Sequence, residues 1–384
     1  MTSTPEKDFT GKTGKKYAVW LGKSNRWVSL EEPAFFVYRS FAKGMPEKNI
    51  SLACKKKYAL GKDDSIRFVS EITGLLKTYR DSAPDPLPYT TKIFDTLPES
   101  QDPVSFSYCI NKRIISVVYG NETLAYYFHP LLKRFECGEQ GQSAAEFRIF
   151  SENKKLLFFR PGCHNEAYVF SEIPPLKRYF YMALSSAIYQ TRPEDWSAFI
   201  HGSAINSGRN AIILSSLTGS GKSTLAALLM SRGHRVMTDD FIPLNGRTGR
   251  IYPLPVALSI KNVAVPVLKP FFSGLPDSNY RYGSLSSASS FLLPNAGSSN
   301  LAFRSALVKN FVFLSYDPGK KLALQKLPPD EALRLFIINS SIQAQHQSIE
   351  RFFRWFKKIT FWSLSYPDPL TAAGKIEGLL VENK

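Results

Sequence analysis

The stretch that most limits how this chain can fold runs from Ala211 to Gly233. Ala211-Ile212-Ile213-Leu214 is a short apolar run of the kind that fills a buried strand. Ser216-Leu217-Thr218-Gly219-Ser220-Gly221-Lys222-Ser223-Thr224 follows, and Leu225, Leu228 and Leu229 then mark one face of a helix that Gly233 closes. Strand, glycine-rich turn and helix in that order let successive backbone N–H groups converge on phosphate oxygens, with the positive end of the helix dipole behind them. The spacing predicts that Thr218, Gly219, Ser220, Gly221, Lys222, Ser223 and Thr224 hold the phosphates of ATP or another nucleoside triphosphate. Lys222 would reach the β- and γ-phosphates, and Ser223 would ligate Mg²⁺. Ser216 departs from the pattern, which has glycine at this position, and serine suits the turn only at negative φ.

A second feature lies a short way downstream. Arg235-Val236-Met237-Thr238 reads as a strand that delivers Asp239 and Asp240 at its end. In phosphate-loop proteins an acid so placed holds the metal. Two adjacent carboxylates can divide the work, one holding the metal and the other accepting the proton of an attacking hydroxyl. His201 ends the run Trp196–Ile200 just before this region, and alone it reads as a structural histidine.

Around this core the chain falls into three segments. The first, about Lys15–Arg80, shows alternating runs at Tyr17–Leu21 and Arg26–Leu30 joined by the turn Gly22-Lys23-Ser24-Asn25. Glu31, Glu32 and Pro33 suit a helix start, Ala34, Val37, Tyr38 and Phe41 repeat at helical spacing, and Gly44 ends the repeat. Asp64–Tyr79 is a further helix. Hairpin plus helices predicts a small winged-helix-like α+β domain over 15–82, and the proline-rich residues 83–90 form a linker. The second segment, Thr90–Trp196, carries candidate strands at Ser105–Ile110, Arg113–Tyr119, Leu124–Phe128, Glu146–Phe150 and Lys155–Phe159, and a helix at Leu176–Tyr189. The third, from Ala198 on, holds the chemistry, with a nucleotide-binding core at 198–262. Helices are expected at Asp330–Ile338 and Ser348–Lys358. Ser273–Asn300, rich in Ser, Gly, Pro and Asn, reads as a functional or disordered loop.

Charge and cysteine usage narrow the partners. Lys and Arg number 49 against 32 Asp and Glu, a net charge of +17, which favours acidic partners. Lys7, Lys12, Lys15, Lys16 and Lys23 form the densest cluster and read as a solvated arm. Cys54, Cys109, Cys137 and Cys163 form no C-x-x-C pair, which argues against a disulfide framework or structural zinc. Cys163-His164 lacks further ligands at loop spacing. No run approaches the roughly 18 apolar residues of a membrane-spanning helix. Met1–Gly14 lacks the apolar core of a secretion signal, so a cytoplasmic protein is expected.

His201-Gly202-Ser203, Leu214–Ser223, Arg232-Gly233-His234-Arg235 and Asp239-Asp240 together resemble the catalytic core of the HPr kinase/phosphorylase family. The closer likeness is to its HPr-kinase-related branch, which also shows a segment like Tyr252-Pro253-Leu254-Pro255 followed by Leu258-Ser259-Ile260-Lys261. The match is dense over His201–Lys261 and thinner through Phe311–Ala332 and Phe361–Leu380. The resemblance implies an α/β phosphate-loop kinase domain of HPr kinase/phosphoenolpyruvate carboxykinase type over 91–384. It implies Asp239 as general base or acid, Asp240 as the residue that assists the metal with Ser223, and His201 as support for the acidic pair. The family's Glu-Ile-Arg-Gly stretch, used in phosphorylase action, is missing from this sequence, which favours a kinase only. Lys261 or Arg281 would add positive charge at the transferring phosphoryl group. The N-terminal segment is similar to PqqD-like precursor-peptide recognition domains through Tyr17–Trp20, Trp27–Leu30, Ala34–Phe41, Gly44 and Leu75-Leu76. Such domains bind a leader peptide as an added strand.

The expectation is a Mg-ATP-dependent kinase that phosphorylates a serine or threonine hydroxyl of a ribosomally made precursor peptide or small protein, captured by the N-terminal domain. Two alternatives stand beside it: a kinase of a small hydroxylated metabolite, and a nucleotide-switched peptide- or DNA-binding module. Nucleic acid is not the expected partner. The hexameric habit of classical relatives leaves a homo-oligomer open.

Overall fold

Phe9–Thr13 (β1), Lys16–Leu21 (β2) and Arg26–Leu30 (β3) form an antiparallel meander in the order β1-β2-β3. The computed structural model describes residues 7–96, 98, 102–138, 142–163, 165–207, 210–216, 221–254, 256–275, 289–294 and 303–381. The chain divides into two compact units. One comprises Met1–Pro86, Leu327–Ile338 and Ile342–Lys358; the other comprises Leu87–Lys326, Asn339–Ser341 and Ile359–Lys384.

In the first unit, β2 is buried at every residue from Ala18 to Leu21. Successive strand residues point to opposite faces, so both faces of this sheet must be covered. Val19 and Leu21 pack with Leu30, Phe35, Tyr38 and Leu76. Leu30 ends β3, Phe35 and Tyr38 come from Glu32–Ala42 (α1) and Leu76 from Lys62–Asp81 (α3), with Glu47–Tyr58 (α2) between the two helices in sequence. The opposite face belongs to Trp20 and its cross-strand partners Phe9 and Trp27. Two helices from late in the chain cover it, Pro329–Ile338 and His346–Phe356. Phe9 meets Phe353 at 5.1 Å between ring centroids, and Trp27 meets Phe352 at 6.4 Å.

The lysine-bearing start differs from the solvated arm expected of it. Phe9 anchors β1, and Asp8 just before it accepts hydrogen bonds from Gly22 N (3.0 Å), Tyr38 Oη (3.1 Å) and Arg80 Nη2 (2.6 Å). One carboxylate therefore ties the strand to both α1 and α3.

The second unit contains two large sheets. The first uses Tyr89–Ile93 (β4), Val104–Ile110 (β5), Arg113–Tyr119 (β6), Glu136–Cys137 (β7), Ala145–Glu152 (β8), Lys155–Phe159 (β9) and Glu166–Phe170 (β10), in the order β4-β10-β9-β8-β6-β5-β7. Only β6 and β8 pair in parallel among these strands, and Glu122–Leu132 (α4) lies in the connection between them. The segment Leu124–Phe128, read from sequence as a strand, belongs to this helix. Asn121 caps it by accepting from Leu124 N at 2.9 Å, and Leu124, Phe128, Leu131 and Leu132 line up at helical spacing on the core side. Ile173–Tyr189 (α5) packs Leu176, Phe180, Tyr181, Leu184 and Ile188 into the same core.

The second sheet positions the candidate site. It is built from Trp196–Ile200 (β11), Ser203–Ser207 (β12), Asn210–Ser215 (β13), Arg235–Thr238 (β14), Ile242–Asn245 (β15) and Arg250–Ile251 (β16), with Lys222–Ser231 (α6) after β13. Leu258–Lys261 (β17) pairs with Ser289–Leu292 (β18), and Val265–Leu268 (α7) lies between them. Ala306–Tyr316 (β19) returns to the large sheet, and Ala323–Lys326 (β20) follows. The two late helices of the first unit, Pro329–Ile338 (α8) and His346–Phe356 (α9), flank Ser340–Ile342 (β21). Thr360–Tyr366 (β22) and Pro369–Val381 (α10) complete the chain. The sheet order is β14-β12-β13-β19-β16-β15-β11-β21, with β22 on β19 and β20 on β22. β13 runs parallel to β19, and β19 parallel to β22, while β12 is antiparallel to both β13 and β14.

Candidate functional site

The apolar run from Ala211 to Leu214 forms the buried body of β13, and Leu225, Leu228 and Leu229 sit in the core beneath α6. That helix is buried nearly all round, because β12, β17 and α10 also pack on it. Its other end is fixed by Glu377 of α10, which accepts from Arg232 Nη1 (2.6 Å) and contacts His234 Nε2 (3.1 Å). Arg232 and His234 thus act in packing. Between strand and helix, Thr218, Gly219 and Ser220 lie outside the described residues, as do Arg281 and most of Ser273–Asn300. Gly221 precedes the first helical residue at φ +79°, a left-handed conformation that glycine adopts without strain. Ser216, the departure from the glycine pattern, is buried and does not take positive φ. Its hydroxyl accepts from Lys222 Nζ at 3.3 Å, so the serine side chain holds the lysine head toward the strand end.

Asp239 is the centre of the arrangement. It is almost fully buried, and both carboxylate oxygens are occupied by serine hydroxyls: Ser203 Oγ donates to Oδ1 at 2.5 Å and Ser223 Oγ to Oδ2 at 2.7 Å. Three segments meet at one carboxylate, since Ser203 begins β12, Ser223 lies in the first turn of α6 and Asp239 follows β14. Burial pushes the Asp239 carboxyl up, and the neighbouring charge of Asp240 adds to that; the Ser203 and Ser223 hydrogen bonds and Lys222 oppose it.

Asp240 has a different environment. Its backbone is left-handed at φ +67°, and Thr238 Oγ1 closes the turn by donating to Phe241 O at 2.6 Å. The Asp240 side chain is 59% exposed, in contrast to the buried Asp239. His201 Nδ1 lies 3.0 Å from Asp240 Oδ1 and 3.2 Å from its backbone carbonyl. His201 is itself fixed by its main chain: its N–H donates to Asn339 O at 3.0 Å, and its carbonyl accepts from Ser215 Oγ at 2.8 Å. Gly202 next to it lets β12 approach β13, because a Cβ there would lie 2.5 Å from Leu214 O. Desolvation pushes Asp240 up, but the His201 hydrogen bond and the charges of Lys177, His201 and Lys222 outweigh it and hold the carboxyl at about 2. The adjacent acids are therefore driven apart, one toward holding a proton and the other toward remaining charged.

Lys177 on α5 is a functional candidate that the sequence reading did not single out. Its Nζ lies 5.7 Å from the Tyr181 ring centroid, and Tyr181 packs against Phe241, the residue after the acidic pair. Burial lowers its pKa, and the charges of Asp240 and Asp239 act against that burial. The same balance holds for Lys222, which Lys261 at the end of β17 lowers further. Two lysines from different elements thus face the acidic pair. No motif spacing marks Lys177; the available signal was a lysine on the otherwise apolar helix face of Leu176, Phe180, Tyr181 and Leu184.

Hydroxyl and carboxylate oxygens are the hard donors that Mg²⁺ prefers, so the chemistry of Ser223 and Asp240 fits that ion. Among the described residues no group of three or more His, Cys, Asp and Glu side chains is placed to hold a metal. No helix among them is long and apolar enough to cross a membrane.

No protein-family model matches this chain, and no curated protein matches it in sequence. Among solved structures it is similar to the HPr(Ser) kinase/phosphatase from Coxiella burnetii, at 13% identity over 48% of this chain and 97% of that chain, with a TM-score of 0.23.

Proposed function

We propose that the chain is an ATP-dependent kinase that transfers the γ-phosphoryl group to a serine or threonine hydroxyl of a ribosomally made precursor peptide or small protein. The observation that carries this reading is Asp239, bonded to Ser223 of the loop helix on one side and Ser203 on the other, with Lys222 beside it. Phosphoryl transfer asks mainly for positioning and charge neutralisation. The acceptor oxygen bonds to the γ-phosphorus, the bond to the bridging oxygen breaks, and ADP departs. The hydroxyl proton passes to Asp239, whose burial raises its proton affinity. Lys222 binds the β- and γ-phosphates with Thr218, Gly219, Ser220, Gly221, Ser223 and Thr224 around them. Ser223 and Asp240 would hold Mg²⁺, which neutralises phosphate charge when bound. His201 orients Asp240.

The first unit supplies the support for a peptide acceptor. β3 is an edge strand, and such an edge can pair with an added strand. Beside it lies a cavity of about 470 Å³ whose lining includes Lys16, Trp27 and Val28 from the sheet and Asp330, Glu331 and Arg334 from α8. Lys16 and Arg334 offer partners to acidic residues of a leader, and Asp330 and Glu331 offer partners to basic ones.

The test is ADP release from Mg-ATP in the presence of a serine-containing acidic peptide, with Lys222→Ala alongside. Peptide-dependent release that Lys222→Ala abolishes supports the kinase. Release at the wild-type rate from Lys222→Ala contradicts it.

A further inference from the structure

β13, β19 and β22 are parallel neighbours, so their carboxyl ends reach one edge of the sheet. Ser215 ends β13, while Tyr316 and Tyr366 end β19 and β22 as directly paired residues. Their rings lie 5.5 Å apart between centroids, tilted by 49°. Tyr366 is buried, and its hydroxyl abuts the backbone where α6 begins: a Cβ on Gly221 would lie 2.5 Å from Tyr366 Oη. Tyr316, whose strand lies between β13 and β22, is 45% exposed.

The direction of a bound nucleotide follows from the two flanks of β13. Asp239 and Ser203 lie on the β12 and β14 flank, so the terminal phosphate and its metal belong there. The rest of the molecule then extends past Gly221 to the opposite flank, where β19 and β22 end. Ligands of open α/β sheets bind beyond the carboxyl ends of the strands, and an exposed aromatic ring there gives a purine a flat surface. We propose that Tyr316, backed by Tyr366, is the platform on which the nucleobase stacks. This rests on the nucleotide reading above and extends it to the opposite end of the ligand. Tyr366 also links the two ends, because the ring that supports Tyr316 carries the hydroxyl that meets Gly221.

The test is calorimetric titration of the full chain with Mg-ATP and with Mg-tripolyphosphate, which carries the phosphates without a nucleoside. The wild-type chain should bind ATP more tightly than tripolyphosphate. Tyr316→Ala should weaken ATP binding about tenfold, a typical loss for one base–aromatic stack, and leave tripolyphosphate binding unchanged. Tyr316→Phe should keep the wild-type ATP affinity. Because Tyr316 is partly exposed, these substitutions spare the core. Equal ATP affinity in Tyr316→Ala and wild type overturns the platform, as does a wild-type chain that binds both ligands equally. A wild-type chain that binds neither ligand overturns the phosphate-site reading together with the platform.

Discussion

Ser223 donates its hydroxyl proton to Asp239 Oδ2 at 2.7 Å, which joins the first turn of the loop helix to the acid that ends β14. The bond is one of the two that keep this buried carboxylate satisfied, and an alanine at 223 removes it. Ser223→Ala should therefore cost about 1–3 kcal/mol of stability, the range for a buried polar group left short of a partner. It should also remove the gain in ATP affinity that Mg²⁺ gives. Denaturant unfolding and nucleotide titration with and without Mg²⁺ check the two effects separately.

Asp239 gives a prediction about stability with a definite sign. Its folded pKa lies above the unfolded value, so the folded state opposes its ionisation. That opposition lowers stability as pH rises above the unfolded carboxyl range, and neutralising the group relieves it. Asp239→Asn should melt above the wild-type chain at neutral pH while losing phosphoryl transfer. A melting temperature clearly below wild type would show that the carboxylate is needed for folding.

Asp240 has the opposite sign. Its pKa is held at about 2, below its ordinary 3.8, so its contribution is present above the ordinary value and is lost as pH falls through about 2. The stability gap between the wild-type chain and Asp240→Asn should narrow between about pH 4 and pH 2. His201→Ala should raise the Asp240 pKa and move this window upward, which carboxyl titration by NMR reads directly.

Lys177 should matter to chemistry more than to folding. Lys177→Met should lower kcat about 100-fold with a small change in peptide KM, the size of effect seen when one charge-stabilising donor is removed from a transition state. Lys177→Arg should recover part of the rate. An unchanged kcat in Lys177→Met would remove this lysine from the machinery.

The groove of the first unit should affect only the peptide. Lys16→Glu combined with Arg334→Glu reverses two charges on its lining and should raise KM for an acidic leader about tenfold, leaving ATP affinity unchanged. Steady-state kinetics with peptide and nucleotide varied in turn separates the two.

Much of the site's scaffold is legible in the sequence, because strand and helix periodicity survive there undisturbed. Ala211–Leu214 and the spacing of Leu225, Leu228 and Leu229 give β13 and α6 directly, and Tyr17–Leu30 gives the β2-β3 hairpin. The failures have identifiable causes. Leu124–Phe128 is short and aromatic enough to pass for a strand, and only the Asn121 cap shows otherwise. β1 carries lysine and glycine, and it is held as a strand by pairing with β2 and by packing on α9, more than 300 residues later. α2 is rich in lysine and contributes few apolar residues, so its pattern is weak. The surroundings of Lys177 and Tyr316 are brought together by topology, and no local spacing can show that.

Peptide phosphorylation is read by intact-mass spectrometry of a precursor peptide encoded beside this gene, after incubation with the protein and Mg-ATP. The peptide should gain about 80 Da with the wild-type chain and nothing with Asp239→Asn, although that variant still binds ATP. The same mass gain with Asp239→Asn would contradict the role of the buried acid. No gain from a wild-type chain that demonstrably binds ATP and the peptide would contradict the kinase itself.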